Sequence, residues 1–140
     1  MDRKGSAEWK GGLKDGQGTL SSESGVLNGV NYSFAKRFGD QAGTNPEELI
    51  GAAHAACFSM AFSAQLGEAG FTPEYIRTTS TVTLEKTDGG FGITRVHLVT
   101  NAKVPGADKA AFETAAGNAK AGCPVSKLFN AQITMDATLD

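Results

Sequence analysis

The sequence predicts an α+β fold in which antiparallel sheets pack on one long central helix. Three observations carry this. A strongly signalled helix start at Thr44-Asn-Pro-Glu-Glu48 opens a run that stays apolar or small on every side. Segments of alternating polarity flank it on both sides in the chain. A second capped helix then precedes one last alternating segment, and strands grouped around helices in this order belong to the α+β class.

The first forty residues read as short strands with tight connections. Trp9 falls in a first strand, Lys14-Asp-Gly-Gln-Gly18 turns, and Thr19-Leu-Ser-Ser22 is a second strand. Glu23-Ser-Gly25 turns again, and Val30-Asn-Tyr-Ser-Phe-Ala35 alternates as a third. In the helix that follows, Asn45 can cap, Pro46 suits the first helical position, and Glu47 and Glu48 lie where the helix dipole favours carboxylates. The helix is expected to run to Gly70. Gly51, Ala55, Ser59, Ser63 and Gly67 recur every fourth residue, a shallow ridge expected to let another helix approach closely.

Ile76 to Lys86 alternates, with Ile76, Val82 and Leu84 on one face. Thr87-Asp-Gly-Gly90 turns the chain, and Phe91 to Val104 returns. Asp108 can cap a second helix through Lys120, with Ala111, Phe112, Ala115 and Ala119 on its inner face. Ile133, Met135, Ala137 and Leu139 alternate in a closing strand. One small sheet covers only one side of an all-apolar helix, so the other side is expected to meet a second copy in an intertwined or tightly packed homodimer.

Bulk properties narrow the function. At 140 residues the chain fits a single domain spanning 1–140, and 40% apolar with 20% charged residues is ordinary globular composition. A net charge of −2 argues against a nucleic-acid footprint, which shows as a basic domain. The N-terminus has basic residues but no apolar stretch behind them, so it does not read as a secretory signal. The apolar run 49–64 reads as too short to span a membrane. A cytoplasmic protein is the expectation, and in that compartment a disulfide that forms is more often transient and catalytic than structural.

The two cysteines are the candidate chemistry. Cys57 lies in Leu49-Ile-Gly-Ala-Ala-His-Ala-Ala-Cys-Phe-Ser-Met-Ala-Phe62, and Cys123 directly precedes a proline in Ala119-Lys-Ala-Gly-Cys-Pro-Val-Ser126. A cysteine at a helix start can face free backbone N–H groups that stabilise thiolate over thiol. The two are sixty-six positions apart, so only the fold can pair them. Two inert core cysteines are the competing reading. A reactive thiol also needs a cation, and Arg37, at the end of the third strand, is one candidate because it stays charged in any environment. His54, three residues before Cys57, is a base, a ligand or a satisfied core histidine. Cys57, His54, Cys123 and His97 include zinc-binding types without paired ligand spacing.

On these residues the chain resembles the OsmC branch of the OsmC/organic hydroperoxide resistance family over nearly its whole length. The most specific stretches are Ser22-Glu-Ser-Gly-Val-Leu27, Phe34-Ala-Lys-Arg-Phe38, the segment from Gly43 through Cys57 to Ala61, Leu66-Gly-Glu-Ala-Gly-Phe-Thr-Pro73 and Ala121-Gly-Cys-Pro-Val-Ser126. The resemblance implies an OsmC-like fold and a thiol-dependent peroxidase acting in oxidative and osmotic stress, an intertwined homodimer without metal, haem or flavin. It implies that Cys57 is the peroxidatic cysteine and Cys123 the resolving one. Arg37 matches the arginine that polarises the thiolate, and Glu47 the glutamate that pairs with it. It further implies an organic hydroperoxide substrate, with hydrogen peroxide a poorer one, and a lipoyl-type dithiol as reductant. Ala53, Ala56, Phe58 and Met60 are expected to suit the substrate's organic tail. A non-catalytic dimeric stress or binding protein, or a redox sensor, is the alternative.

Ten helical residues span about 15 Å. Glu47 and Cys57 therefore cannot both touch one Arg37 on a straight helix. Either the helix breaks near Gly51, or Arg37 and Glu47 reach Cys57 across the dimer.

Overall fold

The computed structural model describes all residues from Met1 to Asp140. They form two compact units, Met1–Leu49 and Ile50–Asp140.

In the first unit, β1 (Gly5–Lys10), β2 (Gln17–Ser22) and β3 (Val30–Tyr32) form an antiparallel sheet in chain order. Trp9 lies opposite Gly18, and Gly18 opposite Tyr32. The Trp9 and Tyr32 rings meet over that glycine with centroids 5.5 Å apart. A Cβ on Gly18 would come within 2.4 Å of the Tyr32 ring and 2.7 Å of Trp9, so only glycine fits beneath them.

The third strand is shorter than its alternation predicts. Ser33 interrupts it: its hydroxyl accepts the Lys36 N–H at 3.3 Å and caps a short helix, α1 (Phe34–Phe38). Serine offers the backbone a local partner that competes with the sheet ladder, and here the cap wins. Arg37 therefore sits on a helical turn and not at a strand end.

Helix α2 (Pro46–Glu68) starts as expected, with Asn45 Oδ1 accepting the Glu48 N–H at 2.8 Å. It runs unbroken past Gly51 and ends at Gly70, whose φ of 86° and N–H bond to the Gly67 carbonyl close the last turn. Only one stripe is buried within the chain: Gly51, His54, Phe58, Phe62 and Leu66. Within the chain, two members of the small-residue ridge, Gly51 and Ser59, face a strand. A Cβ on Gly51 would stand 3.0 Å from the Ser80 carbonyl oxygen, and Ser59 donates to Thr78 Oγ1 at 2.9 Å. At 23 residues the helix is long and apolar enough to cross a bilayer, unlike the 49–64 run taken alone. Its buried stripe is instead core.

The second unit is built on β4 (Tyr75–Thr87), β5 (Gly90–Lys103) and β6 (Gln132–Leu139), with β5 central. β4 and β5 are antiparallel, with a register shift at Thr83/Leu84. β6 runs parallel to β5, where a uniformly antiparallel sheet is the simpler expectation. The reason lies in the connection: α3 (Lys109–Gly122) and α4 (Pro124–Leu128) carry the chain back along the sheet before β6 begins. A parallel pair needs a crossover of this kind, a dozen residues or more.

Asp108 caps α3 through the Ala111 N–H at 2.7 Å. Phe58, Phe62 and Leu66 from α2 meet Leu98 and Ala102 from β5 and Phe112, Ala115, Ala116 and Ala119 from α3. The Phe62 and Phe112 rings meet edge-on at 5.2 Å. Cys123, fully buried, belongs to this core, and half-buried Cys57 packs against it.

Candidate active site

Cys123 is positioned by two helices. It ends α3, its N–H bonding the Ala119 carbonyl, and it caps α4, with Pro124 in the first turn. Its sulfur accepts the Ser126 N–H at 3.3 Å and lies 3.3 Å from Ser126 Oγ. Cys57 reaches it from α2, close enough that each thiol shifts the ionisation of the other, and the Val125 N–H favours the thiolate of both. Both cysteines are free. The fold has thus brought together two thiols that the sequence holds sixty-six positions apart.

The two sulfurs are not equivalent. Burial pushes the Cys57 thiol up; the Val125 N–H opposes this, and donation to Cys123 raises it further. None of the groups acting on Cys57 is a cation. At Cys123 burial also pushes up, but the Ser126 hydroxyl and N–H, the Cys57 thiol and the Val125 N–H outweigh it, and its pKa is lowered. Of the two thiols, Cys123 is therefore the more readily ionised.

Arg37 and Glu47 form the second pair, in the first unit. Arg37 donates to Glu47 from Nη2 at 2.7 Å and from Nε at 3.2 Å, a two-pronged fork that fixes the guanidinium plane. The guanidinium also stands over the Phe38 ring at 5.1 Å. Beside it Trp9, Leu13, Tyr32, Phe34 and Phe38 line a cavity of about 240 Å³. The cysteine pair lies in the second unit.

Other expectations fare differently. Phe58 is fully buried between Phe62 and the rest of the core, so it is not available to a substrate tail. Met60, 76% exposed, is open. His97 stands on β5, bonded to Thr134 at 2.6 Å and Asp136 at 3.1 Å, and no group of three or more ligand-type side chains converges anywhere in the chain. The aromatic cavity beside Arg37 was not foreshadowed by sequence pattern. Its members come from β1, the turn after it, β3 and α1, and only the strand pairing places them together.

His54 is fully buried, and burial lowers its pKa from 6.5. A folded-state pKa below the unfolded one means the unfolded chain binds the extra proton first, so stability is greatest above about 6.5 and falls with pH below it. The loss levels off beneath the lowered folded value. Thermal unfolding between about pH 7 and pH 5 should show a drop in midpoint that is smaller in His54→Gln. An equal drop in both proteins would exclude His54 as its source.

Comparison with known proteins places the chain. It is 57% identical over 139 residues to the peroxiredoxin OsmC of Escherichia coli (strain K12), covering 99% of this chain and 97% of that protein. It is 38% identical over 98 residues to the organic hydroperoxide resistance protein of Xanthomonas axonopodis pv. citri (strain 306), covering 69% and 67%. Among solved structures it resembles the organic hydroperoxide resistance protein OhrB of Bacillus subtilis, at a TM-score of 0.74 and 29% identity over 96% of this chain and 98% of that one. The OsmC-like protein family pattern matches residues 39–138, and with these relatives on both branches the chain belongs to the OsmC family.

Proposed function

We propose that this protein is a thiol-dependent peroxidase that reduces organic hydroperoxides through Cys57 and Cys123. The observation that carries the reading is that the fold brings two free thiols near enough to influence one another, in a chain so similar to a protein named a peroxiredoxin. Cys57, half-buried, is the peroxidatic residue, because it is the more open of the two. Its thiolate attacks the peroxide O–O bond, an alcohol or water leaves, and a sulfenic acid remains on Cys57. Cys123 condenses with it to a disulfide, releasing water. An external dithiol of lipoyl type restores both thiols by exchange.

Cys57 must ionise for the first step, and within its own unit the Val125 N–H is the one group that favours this. Arg37, already aimed by Glu47, is the cation the chemistry needs. Glu47 lies ten residues before Cys57 on an unbroken helix, about 15 Å along its axis. The working pair is therefore Cys57 of one protomer with Arg37 and Glu47 of a second copy. That copy also covers the apolar face of α2 left open in one chain, where Met60 is exposed. Such a homodimer makes two sites, each shared.

The aromatic cavity beside Arg37 then supplies the apolar surface for an organic tail, which favours alkyl and aryl hydroperoxides over hydrogen peroxide. No metal, haem or flavin enters any step, and neither nucleic acid nor membrane is a partner. The cytoplasm, where dithiol reductants are replenished, is the proposed location.

The test is steady-state consumption of cumene hydroperoxide and of hydrogen peroxide by pure protein with excess dihydrolipoamide. Sustained turnover with a preference of about tenfold or more for the organic substrate is expected, since burying an aromatic tail contributes over 1.4 kcal/mol. A single burst without turnover would instead identify a redox sensor, and no consumption a non-catalytic protein.

A further inference from the structure

We propose that Ser80, His54 and Ser126 form a hydrogen-bond relay that positions Cys123 and removes its proton, making it the nucleophile that closes the disulfide. The inference rests on the two-cysteine reading above and gives a task to three residues that the reading leaves idle.

His54 lies three residues before Cys57 on α2 and is fully buried, yet both of its ring nitrogens are engaged elsewhere. Nδ1 lies 3.2 Å from Ser80 Oγ on β4. Nε2 lies 2.8 Å from Ser126 Oγ on α4. Ser126, itself buried, stands 3.3 Å from the Cys123 sulfur through its hydroxyl and sends its N–H to the same atom. The Phe129 ring meets the imidazole edge-on at 5.1 Å and fixes its plane. A histidine that merely needed satisfying could use any two polar groups. Here one arm ends on the buried sulfur that touches Cys57, and the other on half-buried Ser80.

The chain has two self-consistent directions, because a neutral imidazole has one N–H donor and one bare nitrogen. In the first, the Cys123 S–H donates to Ser126 Oγ, the Ser126 O–H to Nε2, and Nδ1–H to Ser80 Oγ. In the second every bond is reversed: Ser80 donates to Nδ1, Nε2–H to Ser126 Oγ, and the Ser126 O–H to the Cys123 thiolate. Passing from the first to the second takes one proton off sulfur, and Ser80 gives one up to solvent. The thiolate is then held by the Ser126 O–H and N–H together, two donors on one charged acceptor. The lowered pKa of Cys123 agrees with this second direction.

The step balances. A lone pair on the Cys123 sulfur forms the S–S bond as the Cys57 S–O bond breaks. Hydroxide leaves and takes one proton from solvent, matching the one the relay released. No outside electrons are needed, since the peroxide has already oxidised Cys57. A resolving thiolate that forms promptly also shortens the life of the sulfenic acid, the species open to irreversible over-oxidation.

The test is rapid mixing of reduced protein with one equivalent of cumene hydroperoxide, following sulfenic acid by chemical trapping and disulfide by mass. In His54→Phe and in Ser126→Ala the sulfenic acid should form but close to disulfide about tenfold more slowly, the loss expected for one hydrogen bond to a charged acceptor. His54→Gln, whose amide N–H can still hold Ser126, should recover part of the rate, which a purely steric role for the ring would not produce. In Cys123→Ser protein, adding His54→Phe should leave Cys57 oxidation no slower. Should His54→Phe fail to fold, Ser126→Ala decides alone. Disulfide closure at the wild-type rate in Ser126→Ala overturns the relay, as does equal slowing of both steps in His54→Phe. Wild-type protein that forms no disulfide at all would instead overturn the two-cysteine reading beneath it.

Discussion

Cys57→Ser protein should lose hydroperoxide turnover by about a thousandfold or more, because a serine hydroxyl is not ionised near neutrality and cannot displace at the O–O bond. Cys123→Ser should behave differently. Its Cys57 still meets the substrate, so the first equivalent of peroxide is consumed at close to the wild-type rate. The sulfenic acid then has no internal partner. With dihydrolipoamide present, turnover should fall about tenfold as the reductant must reach a half-buried sulfur directly. With the reductant withheld, further peroxide should drive Cys57 to sulfinic acid, which wild-type protein avoids by closing its disulfide. Mass measurement after graded doses separates the two. A Cys57→Ser variant that kept turning over would remove Cys57 from the chemistry and restore the reading of a dimeric stress protein with incidental thiols. A Cys123→Ser variant indistinguishable from wild type would leave a one-cysteine peroxidase.

Substitution at Cys123 also carries a structural hazard. Cys123 is fully buried and caps α4, so serine there keeps a capping oxygen where alanine would not. The Ser126 N–H retains an acceptor, and the local turn survives the substitution. Serine is therefore the better probe at Cys123.

How much of this was open to the sequence follows the range of the interactions involved. Asn45, Pro46 and Glu47 announced α2, and Asp108 and Cys123-Pro124 announced α3 and α4, because caps act over three residues. The alternation of Ile133, Met135, Ala137 and Leu139 revealed a strand but could not say which neighbour it joins or in which direction. That depends on where α3 and α4 return the chain. Alternation places Ser33 in the third strand, and the fold makes it the cap of α1 instead. The ridge from Gly51 was legible as a close approach, though not as an approach to the Ser80 carbonyl.

The site divides in the same way. The resemblance supplied roles for the cysteines, and the local pattern supplied the Cys123 cap. Long-range partners were invisible: Ser80 and Ser126 stand 26 and 72 positions from His54. Phe58, next to Cys57 in sequence, is committed to the core, since adjacent helical residues point about 100° apart and this one falls on the buried stripe. The opposed shifts at Cys57 and Cys123 add something that neither sequence nor resemblance contained. In a lone chain the Cys57 thiol is pushed up and the Cys123 thiol lowered, so the proposed mechanism assigns the activation of Cys57 to Arg37 of a second copy.

That requirement makes complementation between protomers the decisive test of the shared site. Cys57→Ala supplies Arg37 without a nucleophile, and Arg37→Ala supplies the nucleophile without its cation. Each alone should be nearly inactive: an opposite charge within reach lowers a thiol pKa by about one to three units, so Arg37→Ala leaves Cys57 mostly protonated near neutrality. Unfolded together in equal amounts and refolded, half the dimers should be mixed. Each mixed dimer then carries one complete site, with Cys57 from one protomer and Arg37 and Glu47 from the other, and one site lacking both. About a quarter of wild-type turnover should return, in keeping with two equivalent shared sites per symmetric dimer. If Arg37 acted on the cysteine of its own chain, every protomer in the mixture would still lack one of the two groups and nothing would return. Full activity in Arg37→Ala alone would be the more drastic result, leaving the Arg37–Glu47 fork without a part in the chemistry. Adding Glu47→Gln to the Cys57→Ala protomer refines the outcome. A neutral amide no longer forks the guanidinium, and the recovered activity should drop about tenfold while the proportion of mixed dimers stays the same.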